Sequence, residues 1–292
     1  NSDIEKAATK IIENKVIIFP TETVYGIGAN ALSDVAIEKI FQIKKRPLSN
    51  PLIVHCLGIY DSLTLCQLTL LEKNIFTLLA NKFWPGPLTM IVRSKKIVSK
   101  LVTAGSDFIA IRVPNQKTTL KFIKKAGVPI AAPSANISGK TSSTTIEHLK
   151  NYFNSKNIGI INDNNYICQY GIECSVIIIE ENNLTILRPG VITCKDIQHT
   201  LKDIKTPIKI HYQHNNKKDI TSPGQELSHY CPEKPLFVLN IVNIDLKCDD
   251  TSLKEELNKK TECYFKNSIL IDFNSLAFKY SNKFLGYVDL SK

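Results

Sequence analysis

Lys44 and Arg46 stand two residues apart in Lys44-Lys45-Arg46-Pro47, where a stretch of apolar helical period ends. Lys44 falls three residues after Phe41, so it continues the buried face instead of pointing away. Pro47 holds Arg46 at the helix end. Two cations fixed beside a strand entry suit the oxygens of a polyphosphate, and arginine adds fork geometry. A basic helix terminus that merely complements the macrodipole reads the same residues more plainly.

A second constellation is Pro133-Ser134-Ala135-Asn136-Ile137-Ser138-Gly139-Lys140-Thr141, which follows a buried apolar run. Ligands commonly sit beyond strand ends in α/β proteins, and Ser and Asn are good partners for phosphate or ribose oxygens. The segment imitates the phosphate loop G-x-x-x-x-G-K-[ST], but Ser134 replaces the first glycine and Pro133 restricts the approach, so that motif is rejected. Arg112, in Ile109-Ala110-Ile111-Arg112-Val113-Pro114, lies among apolar neighbours. A buried arginine needs a carboxylate, either the protein's own or a ligand's. Arg188 in Leu187-Arg188-Pro189-Gly190 poses the same choice. Thr21-Glu22-Thr23 with Tyr25 follows the first strand and could share a mouth with Ser134. His55, inside a strand beside Cys56, reads either as a ligand contact or as a hydrogen-bonded core histidine. Ser222-Pro223-Gly224 and His229-Tyr230 read as a flap over a site or as a turn.

The elements that must position these groups follow from periodicity. Helices are expected over 2–14, with a Ser2/Glu5 capping box, and over 34–45, 68–83, 116–126, 145–153 and 193–204. Strands are expected at 16–19, 52–56, 88–93, 109–113, 128–132, 158–161, 175–180 and 184–188. The alternation of apolar strands and helices gives an α/β fold, a twisted sheet covered by helices on both faces. Residues 205–235 carry four Pro and three His and read as an interdomain linker. Residues 236–292 offer a strand, a helix and a strand, too little for an independent core.

The whole chain has 292 residues, 43% hydrophobic and 22% charged, which excludes a disordered protein. No run approaches the ~20 apolar residues of a membrane span. The polar start, Asn1-Ser2-Asp3, is not a secretory signal, so the expected compartment is the cytoplasm. Eight cysteines form no C-x-x-C and show no zinc spacing with histidine. They read as small core hydrophobes in a reducing compartment, and no structural metal is expected. The net charge is +10, yet only four of the 37 basic residues are arginine: 46, 93, 112 and 188. The lysine excess reads as a solvated surface, with a nucleic-acid patch as its rival. No nucleophile elbow, G-x-G-x-x-G after the first strand, or paired-histidine motif is present. Hydrolase, dehydrogenase and metalloprotease readings therefore lack support.

Taken together, the segments resemble the YrdC-like family of threonylcarbamoyl-adenylate synthases. The residues that carry the resemblance are 19–26, 44–47 with 50–55, Trp84-Pro85-Gly86-Pro87-Leu88-Thr89, 110–114, 133–139 and 187–190. The linker further resembles the long, two-domain form. The resemblance implies a YrdC-like catalytic domain over 1–204, with a twisted mixed sheet covered by helices. It also implies a linker over 205–235 and a partial Rossmann-like C-terminal domain over 236–292, which stops short of the family pattern. The implied reaction converts L-threonine, bicarbonate (or CO2) and ATP into threonylcarbamoyl-AMP and pyrophosphate, the first step of tRNA t6A modification. A downstream tRNA threonylcarbamoyltransferase would receive the product, and direct tRNA contact would be weak. Mg2+ would arrive with ATP, without a protein cage. By position, Lys44 and Arg46 would be catalytic. Lys44, Arg46, Asn50, Ser134, Asn136, Ser142, Arg188 and Ser222 would contact ATP. Thr23, His55, Arg112 and the backbone at Ala132 would hold threonine. Phe108 stands where the family usually has a small hydroxyl residue, so a side-chain contact there would be lost. The competing expectation is a non-catalytic RNA-binding module of the same fold. A carbamoyl-adenylate step in metal-centre maturation is a further rival, weakened by the absence of zinc-finger segments.

Overall fold

A computed structural model describes residues 2–153, 158–163, 166, 168–213, 269–272 and 286–289. The chain divides into two compact units, Asn1–Glu233 and Lys234–Lys292.

In the first unit, the strands are β1 (Ile17–Phe19), β2 (Gly26–Asn30), β3 (Ile53–His55), β4 (Leu88–Arg93), β5 (Phe108–Arg112), β6 (Ile130–Ala132), β7 (Gly159–Ile160), β8 (Ser175–Glu180), β9 (Asn183–Arg188) and β10 (Lys209–Tyr212). They form one sheet in the order β10-β9-β8-β4-β5-β3-β6-β2-β1-β7. Parallel pairs such as β3/β5 and β4/β8 alternate with antiparallel ones such as β4/β5 and β8/β9. The fold is therefore the mixed α/β sheet that the sequence implies. The helices are α1 (Ser2–Ile12), α2 (Asp34–Lys44), α3 (Ile59–Leu65), α4 (Leu70–Phe83), α5 (Lys117–Ala126), α6 (Ile146–Phe153) and α7 (Cys194–Leu201).

Strand alternation divides the core between the two sheet faces. Ile18, Ile27, Val54, Met90, Ile111 and Ile177 pack with side chains of α2, α4, α6 and α7. Ile17, Phe19, Ile130 and Ala132 point the other way and meet Ala7, Ala8 and Ile11 of α1 and Phe122, Ile123 and Ala126 of α5. Further along that second face, Ile53, Ile91, Ala110 and Val176 form a third cluster that no helix side chain joins among the described residues. The helical cover expected on both faces is thus complete on one and partial on the other. The uncovered stretch is where buried polar side chains such as His55, Thr89, Arg112 and Arg188 gather.

Local chemistry explains the boundaries. Ser33 caps α2 by accepting from Ala36 N at 3.3 Å, and Lys45 ends the helix in the left-handed region at φ 53°. The helix therefore stops before Pro47. Thr69 and Glu72 form a capping box at the start of α4. The helix expected from residue 68 begins at Leu70, and α3 precedes it. Strand β2 lies in a segment too rich in glycine to read as a strand. A Cβ at Gly28 would sit 2.7 Å from Phe19 Cε1 and 2.6 Å from Ile130 Cγ2, so glycine is required by close packing. Strand β10 lies in the segment read as linker and pairs in parallel with β9.

In the second unit, β11 (Ile269–Asp272) pairs in parallel with β12 (Gly286–Asp289). The strand expected near 236 and the helix near 252 lie outside the described residues. No described helix is long and apolar enough to cross a membrane.

Candidate functional site

Sheet register brings the buried polar groups onto the uncovered face. His55 on β3 stands opposite Arg112 on β5. Met90 faces Ile111 across β4/β5, so Thr89 and Arg112 come level on the other face. Thr89 stands beside Val176, and Val176 stands opposite Arg188. The β8–β9 register shifts at Val176/Ile177, an irregularity that sets Arg188 on this row. A cavity opens there, lined by Thr21, Thr23, Val24, Tyr25, Gly26, Arg46, Ile53, His55, Arg112, Pro133, Ser134, Glu173, Cys174 and Arg188.

Two loops form its rim, and they are stitched together by backbone hydrogen bonds. Ile27 N donates to Pro133 O at 3.0 Å, Ala135 N to Tyr25 O at 2.7 Å and Tyr25 N to Ser143 O at 2.9 Å. The 21–25 turn and the Ser134 loop therefore do share one mouth. Within the turn, Thr21 Oγ1 donates to Val24 O at 2.6 Å and sits 2.9 Å from Thr23 Oγ1. Outside it, Tyr166 OH donates to Thr21 O at 2.8 Å, and the backbone of Gln169 and Tyr170 donates to Glu22 O.

Arg112 is held on two of its three nitrogens. Nε donates to Gly86 O at 3.3 Å, while Nη2 donates to Glu22 Oε1 at 2.6 Å and to Thr23 Oγ1 at 3.0 Å. The second Glu22 oxygen accepts from Asn115 N at 3.0 Å. Among the described residues Nη1 has no hydrogen-bond partner, and Arg112 lines the cavity. The protein carboxylate that a buried arginine calls for is Glu22. Glu22 and Thr23 share Nη2, and Nη1 is left without a protein partner among the described residues.

Arg46 donates to neutral oxygens: Nε to Asn50 O at 3.1 Å, and Nη2 to Pro51 O at 2.8 Å and to Asn50 Oδ1. Arg188 is cradled by residues 173–174: Nε donates to Cys174 O at 3.0 Å, Nη1 to Glu173 Oε2, and Nη2 to Cys174 Sγ at 3.2 Å. His55 is buried, its ring meets Phe19 edge-on, and Nδ1 has no partner among the described residues. Burial, reinforced by the Arg112 charge, pushes its pKa down to about 3, so the imidazole is neutral at physiological pH.

Lys44 is 1% exposed and is not among the lining side chains. Its Nζ donates to Ser134 O at 2.6 Å and to Asn136 O, which ties α2 to the loop. Asn136 Nδ2 donates to Ile137 O and Lys140 O, and its buried Oδ1 lacks a partner among the described residues. Asn50, Asn136 and Ser142 reach the cavity through their neighbours: Asn50 holds Arg46, Asn136 braces the Ser134 loop, and Ser142 Oγ donates to Glu173 Oε1 at 3.0 Å. Ala132 ends β6 opposite Ile53. Ser222 lies outside the described residues, as do Ser222-Pro223-Gly224 and His229-Tyr230 as a flap. Phe108 starts β5, and the Arg93 guanidinium sits 5.3 Å from its ring centroid, which accounts for the one arginine without a site role. Among the described residues no group of three His, Cys, Asp or Glu could hold a metal ion.

Residue-level reasoning missed Glu22 as the partner of Arg112, and Glu173 and Cys174 altogether. The first was within reach. A strand-buried arginine demands a carboxylate, and Glu22 sits in a motif already singled out. Glu173 had no such signal.

The Sua5_yciO_yrdC family model, described as telomere recombination, matches residues 9–190. The chain belongs to the Sua5/YciO/YrdC family. It is 39% identical over 241 residues to the threonylcarbamoyl-AMP synthase of Pyrococcus abyssi (strain GE5 / Orsay), which covers 81% of this chain and 67% of that protein. It is 41% identical over 236 residues to the threonylcarbamoyl-AMP synthase of Bacillus subtilis (strain 168), covering 80% and 66%. This member of the Sua5/YciO/YrdC family thus spans about two thirds of the length of those relatives. A crystal structure of P. abyssi Sua5 complexed with L-threonine superposes with a TM-score of 0.74 at 34% identity, over 92% of this chain and 75% of that one. Every site residue expected from the sequence except Ser222 falls inside the segment that defines the family.

Proposed function

We propose that this chain is a threonylcarbamoyl-AMP synthase, an ATP-using transferase that converts L-threonine, bicarbonate or CO2, and ATP into threonylcarbamoyl-AMP and pyrophosphate. The carrying observation is the convergence of three buried arginines, Arg46, Arg112 and Arg188, on one cavity between the 21–25 turn and the Ser134 loop. Relatives named threonylcarbamoyl-AMP synthase and a relative's complex with L-threonine support the reading.

The substrate carboxylate meets Nη1 of Arg112, whose other edge Glu22 and Thr23 already fix. Neutral His55 offers a desolvated nitrogen to the amino-acid head, with Thr23 and the Ala132 backbone beside it. The amine captures CO2 as a carbamate, a carbamate oxygen attacks the α-phosphorus, and pyrophosphate leaves. Arg46, held by Asn50, and Arg188 flank the nucleotide, and Ser134, Asn136, Ser142 and Ser222 complete its contacts. Lys44 acts from α2 on the loop carbonyls of Ser134 and Asn136 and sets the charge behind the nucleotide. Mg2+ enters as part of the MgATP substrate. No covalent enzyme intermediate is needed, so catalysis is positioning plus charge stabilisation. The product then passes to a tRNA threonylcarbamoyltransferase in the cytoplasm.

Mass spectrometry of a reaction with 13C-bicarbonate tests this. The expected result is threonylcarbamoyl-AMP carrying one heavy carbon, formed only when L-threonine and ATP are both present. AMP without the labelled adduct would contradict it, and tRNA binding without turnover would favour the RNA-binding module.

A further inference from the structure

Glu173 is a carboxylate among the arginines of a pocket meant for anions, which is unexpected on charge alone. It lines the cavity beside Cys174, with a side-chain exposure of 12% against 10% for Arg188. One oxygen pairs with Arg188 Nη1, and the other accepts the Ser142 hydroxyl proton at 3.0 Å. Glu173 therefore joins two residues that arrive from separate parts of the chain. Ser142 comes from the loop after β6 and Arg188 from the end of β9.

We propose that Glu173 is a positioning residue for the nucleotide: it fixes Ser142 and Arg188 so that both meet ATP. This rests on the reading above that these two residues contact ATP. The hydrogen bonding supports it in two ways. Each nitrogen of the Arg188 guanidinium donates to residues 173–174, so its fork is set before any ligand arrives. Ser142 has a single hydroxyl proton, and Glu173 takes it, so the oxygen is left with only its lone pairs to offer. Ser142 thus presents an acceptor, suited to a donor on the nucleotide such as a ribose hydroxyl or the base amine. At the amino-acid end of the cavity Arg112 is held instead by Glu22 and Thr23, so that end has its own carboxylate.

Calorimetry on the full chain and its variants tests the proposal. The probes are α,β-methylene-ATP with Mg2+, which cannot release pyrophosphate, and L-threonine alone. Glu173→Ala should weaken binding of the ATP analogue roughly tenfold or more, the scale of a lost charged hydrogen bond, with threonine affinity within about twofold. Glu173→Gln, which keeps an acceptor for Ser142, should fall between parent and Ala. In a double-mutant cycle, Glu173→Ala and Ser142→Ala should be non-additive. Unchanged or tighter nucleotide binding, equal weakening of both ligands, or strict additivity would each overturn the proposal. A parent that binds the analogue but yields no product would sink the functional reading and leave this test intact. A parent that does not bind the analogue would overturn both.

Discussion

Arg112 and Glu22 lie 90 residues apart in sequence and 2.6 Å apart at Nη2 and Oε1, with side chains 4% and 3% exposed. The pair neutralises the arginine without closing it, because Glu22 and Thr23 occupy one nitrogen and Arg112 still lines the cavity. A lysine at this position has no fork with which to satisfy Gly86 O, Glu22, Thr23 and a substrate carboxylate together. Arg112→Lys should therefore raise the KM for threonine at least roughly tenfold, with a much smaller change in the KM for ATP. Steady-state pyrophosphate release at varied threonine and varied ATP reads both. Equal rises would point to general loosening of the sheet.

Removing the carboxylate has a structural cost as well. Glu22→Ala leaves a buried guanidinium without its counter-charge, a change that typically costs roughly 3–5 kcal/mol. Urea unfolding of parent and variant should show a loss of that order. A loss below about 1 kcal/mol would mean that the pair does not hold the turn.

His55 gives a pH signature. Its pKa in the folded chain is depressed to about 3, against the ordinary value of 6.5. The unfolded chain therefore takes up a proton that the folded one refuses. The stability it contributes is full above pH 6.5 and declines as the pH falls from there toward 3, at up to about 1.4 kcal/mol per pH unit. His55→Gln should flatten that part of the stability curve. Titration of the His55 imidazole by NMR should show no transition between pH 5 and 8, and one near 6.5 would contradict the assignment.

Glu72 provides a control away from the cavity. It accepts from Thr69 N at 2.8 Å and Thr69 Oγ1 at 2.9 Å, and its other oxygen accepts from Glu181 N at 3.0 Å. It thereby caps α4 and anchors the β8–β9 turn. Thr69→Ala should cost about 1 kcal/mol and Glu72→Ala more, with the KM for both substrates unchanged. A shift in either KM would show that the helical face communicates with the cavity.

Much of the fold and of the site is legible in the sequence. Long apolar periodicity marked α4 and α5, and β-branched runs marked β4, β5 and β8, because burial on one face or both dictates those patterns. Arg46, His55, Arg112, Ser134 and Arg188 each stand out in the sequence by residue type and setting, and they line one cavity. Strand β2 stayed hidden because Phe19 and Ile130 require a glycine at position 28, and glycine weakens the strand signal. Strand β10 stayed hidden because its neighbourhood of Pro and His reads as linker. The polarity of the site was also out of reach. Nothing in Gly171-Ile172-Glu173-Cys174 announces that its carboxylate returns to Arg188 and Ser142, since that contact depends on the β8–β9 register and on how the loop after β6 folds.

The central claim is that this cavity activates L-threonine as a carbamoyl adenylate. Its most direct test is pyrophosphate release from ATP and bicarbonate, measured with and without L-threonine. The expected result is release that requires threonine and saturates with it, and that falls when Arg112 is replaced. Release at the same rate without threonine would contradict it.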